Sequence, residues 1–116
     1  MAESEISDAM IRFEKEYMGR GPVETKSYII DDMIIVRLKG ILTRAEEQLT
    51  KHDEGHTLIK QVRIMLLENA RPLLEAIIFD ITGLKVRNLH TDLSTATNER
   101  IILFILEKNF QDKLRK

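Results

Sequence analysis

Six consecutive apolar residues, Ile101-Ile102-Leu103-Phe104-Ile105-Leu106, constrain this chain more than any other feature. The run has the length of a strand and falls far short of the ~18 uninterrupted apolar residues of a membrane span. Side chains along a strand alternate between two faces, so a strand apolar at every position is usually central and covered on both sides. One cover is expected from helices packed as a layer. The other is expected from the first helix or from a second protomer through an isologous contact.

The remaining segments supply the sheet and the helices. Glu24 to Ile30 and Met33 to Leu38 read as strands joined by the two-residue loop Asp31-Asp32. That register pairs Ile30 with Met33 and Ile29 with Ile34. It leaves Ile29, Ile34, Val36 and Leu38 on one face, and Glu24, Lys26, Tyr28, Ile35 and Arg37 on a wetter one. Leu84 to Thr91 and Arg100 to Leu106 form a second pair of strands around a polar loop. Before the first hairpin, Ile6, Met10, Phe13 and Tyr17 recur at helical spacing, and Gly19 and Pro22 end that helix.

Between the hairpins, Thr43-Arg44-Ala45-Glu46 is a capping box that opens a helical region running to Thr82, before Gly83. Its apolar spacing marks Leu58, Val62, Met65, Leu66, Leu73, Ile77 and Ile81 as the buried stripe. Gly55 is a weak point in that region, and a break is expected near Asn69–Pro72. The fold class is α+β: a four-stranded antiparallel sheet of two hairpins with helices packed on it, in the order α-β-β-α(α)-β-β. Glu107 to Lys116 reads as a polar tail whose Phe110 and Leu114 suit a docking helical turn. At 116 residues the whole chain, 1–116, fits one domain.

Composition excludes more than it assigns. There is no cysteine, which removes disulfide and thiolate chemistry and suits a reducing compartment. Eighteen Lys and Arg against 19 Asp and Glu leave no global field to collect nucleic acid or an anionic membrane. The acidic start Met1-Ala2-Glu3-Ser4-Glu5 lacks an apolar signal segment, so a cytoplasmic location without direct membrane insertion is expected. Lys26, Arg37, Lys85 and Arg87 could line a basic stripe. With aromatics at 5%, the stacking platform of an RNA-binding sheet is missing.

Three groups of residues invite a chemical reading. His52 and His56 have the i, i+4 spacing of a zinc pair, but Asp53 stands where that motif needs Glu, and Gly55 weakens the helix. A solvated polar turn is the stronger reading. His90, Thr91, Asp92, Ser94, Thr95 and Arg100 crowd a strand end and could bind an anion or seat a partner, although ordinary loop chemistry also explains them. Gly19, Arg20, Gly21 and Pro22 could form a backbone nest for phosphate. They follow a helix, whose C-terminus repels anions, so helix stop and turn is the stronger reading. The residues offer no catalytic set, no metal site and no cofactor motif.

Several blocks resemble one family across nearly the whole chain. They are Phe13 to Pro22, Asp31 to Gly40, Leu42 to Glu46 and His90 to Thr95. The sequence is identified as resembling the MpsC family, named for a sodium-translocating membrane-potential-generating system. The resemblance implies a cytoplasmic, non-catalytic accessory subunit, peripheral to the membrane through a cation-transporter partner and linked to inorganic carbon uptake. It makes Gly19–Pro22 and His90–Thr95 the candidate binding surface. A protein-binding homodimer is the corresponding expectation. A small metal- or anion-dependent enzyme or sensor using His52, His56 or the His90–Asp92 loop is the alternative.

Overall fold

The computed structural model describes residues 2–110. Its elements are α1 (Ala2–Tyr17), β1 (Glu24–Ile30), β2 (Met33–Lys39), α2 (Arg44–Leu49), α3 (Asp53–Thr82), β3 (Val86–Ser94) and β4 (Glu99–Leu106). The four strands make one antiparallel sheet in the order β1-β2-β4-β3. The apolar strand β4 is therefore internal, as its sequence requires. Asp31-Asp32 closes the first hairpin in the expected register, with Asp31 at a left-handed φ of 55°. Asn98 takes the same φ at the end of the β3–β4 loop. Its backbone carbonyl accepts from the Gly40 N–H at 2.8 Å and its side chain from the Leu42 N–H at 2.9 Å. These bonds tie the two hairpins together at one end of the sheet.

Alternation along the strands divides the sheet into two unlike faces. The inner face carries Ile29, Ile34, Val36, Leu38, Leu93, Ile102, Phe104 and Leu106 into one core, where they meet Ile6, Met10 and Phe13 of α1 and Ile59, Leu67, Leu74 and Ile78 of α3. Both long helices therefore lie on the same side, and α1 does not cover the second face of β4. Polar bonds fix α1 there: Ser7 Oγ lies 2.7 Å from Ser27 Oγ, and Glu3 accepts from the Ile29 N–H at 3.0 Å. The second bond also satisfies an edge-strand donor that would otherwise invite pairing with another chain. Phe110 is buried in the core, and its N–H donates to the Asp31 carbonyl at 3.0 Å. Leu114 lies outside the described residues.

The helical region departs from expectation in two ways. It does break, but at Thr50–His52 and not near Pro72; α3 runs without interruption from Asp53 to Thr82 with Pro72 inside it. The break is held by close packing: a Cβ added at Gly55 would lie 1.7 Å from the Leu49 carbonyl oxygen. Gly55 lets the start of α3 fold back against the end of α2, so it is required where it stands. The second departure is the buried stripe. Gly55, Ile59, Arg63, Leu67, Ala70, Leu74, Ile78 and Thr82 face the core. Leu58, Val62, Met65 and Leu73 are exposed, and Leu66, Ile77 and Ile81 are only half-buried. Ile77 and Ile81 pack against the margin of the core, and the helix carries a second apolar face in the exposed Leu58, Val62, Met65 and Leu73.

Candidate functional site

The residues singled out by sequence do not form one site. Gly19–Pro22 enters the edge strand β1, while His90–Thr95 runs along the opposite edge strand β3, with β2 and β4 between them. Arg20 spends its guanidinium within the chain, donating to the Leu42 carbonyl at 3.0 Å and lying 3.9 Å from Glu47. His90 and Asp92 share the outer face of β3, and Thr91 lies on the inner one. The three histidines are separate. His52 is the N-cap position of α3, His56 bonds Thr95, and His90 Nε2 lies 3.2 Å from the Asn88 amide. A recess of about 420 Å³ between α3 and the β3–β4 loop is lined by His56, Lys60, Asp92, Ser94 and Thr95. Its polar groups already engage each other, with Lys60 Nζ 3.3 Å from Asp92. Among the described residues no group of three or more His, Cys, Asp or Glu is placed to hold a metal ion.

Arg100 belongs elsewhere, in a buried charge cluster that sequence reasoning missed. The inner face of β4 delivers Arg100, α1 delivers Glu14 and α3 delivers Arg63, all at most 1% exposed. Arg63 forms a two-pronged pair with Glu46 of α2, Nε to Oε2 at 2.8 Å and Nη2 to Oε1 at 2.6 Å, and Nη2 also reaches the Ile41 carbonyl at 3.0 Å. Glu46 is shared with the capping box, where it accepts from the Thr43 N–H at 2.9 Å while Thr43 Oγ1 accepts from the Glu46 N–H at 3.2 Å. Burial pushes the Glu14 carboxyl upward, against the pull of Arg100 and Arg63. Burial also works to raise Glu46, but the bonds from Arg63 and Thr43 outweigh it and leave that carboxyl below its ordinary value.

These charges join α1, α2, α3 and β4 at one point. A signal for them did exist. Glu14 is four residues after Met10 on the apolar face of α1, and Arg63 stands four residues from both Ile59 and Leu67.

The outer face of the sheet is apolar towards one end of the strands and charged towards the other. The register stacks it into rows: Ile30, Met33, Ile105 and Asn88; then Tyr28, Ile35, Leu103 and His90; then Lys26, Arg37, Ile101 and Asp92; then Glu24, Lys39, Glu99 and Ser94. Tyr28, Ile30 and Ile101 are exposed, and Met33, Ile35, Leu103 and Ile105 are half-buried by one another. Among the described residues no element lies across this face. The charged rows are internally neutralised, with Arg37 Nη2 2.6 Å from Glu99, and Lys26 and Lys39 each 3.5 Å from Glu24. The basic stripe suggested by Lys26 and Arg37 is thereby interrupted by carboxylates. An apolar half bordered by a paired polar half has the composition of a protein-binding patch, where a dry centre is surrounded by a polar rim.

The chain is a two-layer α+β protein with an apolar sheet face that no other described element covers and with a charge cluster buried where α1, α2, α3 and β4 meet. The chain belongs to the MpsC family: the model described as "Na+-translocating membrane potential-generating system (MpsC)" matches residues 1–108. It is similar to the uncharacterised protein YbcI of Bacillus subtilis (strain 168), 48% identical over 98% of this chain and 92% of that one. It is also similar to the uncharacterised protein YrhF of the same organism, 21% identical over 94% of this chain and 90% of the relative. No solved structure matches.

Proposed function

We propose that the protein is a non-catalytic accessory component that docks, through the outer face of its sheet, on a protein subunit of a sodium-translocating, membrane-potential-generating system. The observation that carries this reading is the uncovered apolar surface of Tyr28, Ile30, Met33, Ile35, Ile101, Leu103 and Ile105 on a member of this family. Removing apolar surface from water stabilises a complex by about 25 cal/mol per Å² before association costs, so a patch of this kind favours a partner with a matching apolar surface. His90, Asp92 and Ser94 extend the rim along β3, and Arg37 and Glu99 close it on the charged side.

No helix among the described residues is long and apolar enough to cross a membrane. In this reading the protein is cytoplasmic and reaches the membrane through its partner, and it works as an oligomer of itself. Inorganic carbon uptake enters through the identity of the partner.

The test is crosslinking of tagged full-length protein in cells, followed by recovery from the membrane fraction. The expected outcome is enrichment of a multi-spanning cation-translocating protein by the parent chain and its loss with Leu103→Lys, which places a charge at the centre of the patch. Equal recovery with both chains would refute docking through this face.

A further inference from the structure

The outward face of α3 has a spacing of its own. Leu58, Val62, Met65, Asn69, Pro72, Ala76 and Phe79 follow one another at intervals of four, three, four, three, four and three residues. This is the a/d seam of a coiled coil, which packs against another helix of the same period. Leu58 is 52% exposed, Val62 45%, Met65 64% and Phe79 46%. The seam lies opposite the core face of Ile59, Arg63, Leu67, Leu74 and Ile78, and no charged residue stands on it between Leu58 and Phe79. An apolar stripe on a helix is ordinarily packed against another element, and among the described residues only one of the two stripes of α3 has its cover.

We infer that a second copy of this chain covers that side, through an antiparallel, two-fold pairing of α3 with α3 centred on Asn69. The seam is self-complementary about that residue. Antiparallel pairing sets Asn69 against the second copy's Asn69, with Val62 facing Ala76, Met65 facing the Pro72–Leu73 step, and Leu58 facing the Phe79–Asp80 step. The two central amides can then bond each other, and a lone polar residue in an apolar seam fixes register.

The dimensions also suit a dimer. From Leu58 to Phe79 the seam is roughly 32 Å long at ~1.5 Å per residue, on a helix about 10 Å wide. With the relief of its side chains, the pair would bury on the order of 1,000 Å² in total, near the lower bound of a specific interface. The helix runs most of the molecule's 51 Å length, so α3 can meet its copy along the whole seam. The inference deepens the self-association in the proposed function and stands whether or not the sheet face binds a transporter.

The test is the solution mass of the full-length protein by light scattering, together with single-cysteine crosslinking in a chain that has no native cysteine. The parent chain is expected at twice its 13.5 kDa mass. Met65→Lys, at an exposed position, should halve that mass with an unchanged circular dichroism spectrum, and Leu103→Lys on the sheet should leave it dimeric. Asn69→Cys should form an intermolecular disulfide under mild oxidation, and Leu58→Cys should not, because antiparallel pairing holds the two copies of residue 58 about 33 Å apart. A monomeric parent chain, a Met65→Lys dimer, loss of the dimer in Leu103→Lys or efficient crosslinking through Leu58→Cys would each overturn the inference.

Discussion

Glu14 and Arg100 face each other across the core at 3.7 Å, Oε1 to Nη1, without a hydrogen bond between them. Arg63 stands on the other side of the same carboxylate, its Nη1 3.9 Å from Oε2. Among the described residues neither Glu14 oxygen has a hydrogen-bond partner, and neither do Arg63 Nη1, Arg100 Nη1 or Arg100 Nε. The attraction is therefore Coulombic, in a place where desolvation is costly and is incompletely offset.

Removing one partner from such an arrangement leaves an uncompensated buried charge. Arg100→Met should cost about 3–5 kcal/mol in urea unfolding. Adding Glu14→Leu to Arg100→Met removes both members and leaves Arg63 with Glu46. The double variant should therefore be more stable than Arg100→Met alone. Additive losses in the double-mutant cycle would show that the two side chains act independently.

The same cluster sets a pH response with opposing parts. Burial, the largest influence on Glu14, raises its carboxyl above the unfolded value of about 4.3. The native state then binds that proton more tightly than the unfolded chain does. Its contribution is fully present below about 4.3 and is lost as pH rises through the folded value. Glu46 is lowered on balance, so its contribution is present above about 4.3 and is lost as pH falls through its folded value. Urea midpoints between about pH 3 and 7 should show both limbs. Glu14→Gln should flatten the upper limb and leave the acid limb in place; an unchanged upper limb would exclude Glu14 as its source.

Glu46 holds two jobs that can be separated. Thr43→Ala removes the cap of α2 and should cost about 1 kcal/mol, a usual amount for a lost N-cap. Glu46→Ala removes the other half of the box and also strands the buried Arg63, so it should cost several times more, about 3–5 kcal/mol. Equal losses for the two variants in thermal or urea unfolding would mean that Glu46 acts as a cap alone.

The elements whose local chemistry is self-sufficient were legible from sequence. The Asp31-Asp32 hairpin and its register, the Thr43–Glu46 box, the Gly83 helix stop and the internal place of β4 all follow from neighbouring residues. What failed was the choice between two faces of α3. Arg63, Gly55, Ala70 and Thr82 dilute the true core face, while Leu58, Val62, Met65 and Leu73 enrich the outer one, so hydrophobicity favours the wrong side. Only tertiary partners, Glu46 of α2 and Glu14 of α1, make Arg63 an inward residue. The candidate site was half legible for a similar reason. His90 and Asp92 were rightly placed together on one strand face, but the Tyr28–Ile35–Leu103 patch beside them exists only once β2 and β4 are paired.

Gly55 gives a prediction whose sign differs between sequence and structure. Helix propensity alone says that Gly55→Ala should stabilise α3 by roughly 1 kcal/mol. The fold says otherwise. The new methyl group would meet the Leu49 carbonyl oxygen at 1.7 Å and its carbon at 2.5 Å, both backbone atoms that cannot rotate away. Relief would require α2 to shift, and α2 is anchored through Glu46 to the buried Arg63. The substitution should therefore destabilise by at least the 1–3 kcal/mol of an overpacked core. Gly19→Ala serves as the control: its φ of 95° is strained for alanine, but nothing lies within 4 Å of the added carbon, so its loss should be the smaller. A rise in melting temperature for Gly55→Ala would show that the α2–α3 junction yields readily and that the close approach has no energetic weight.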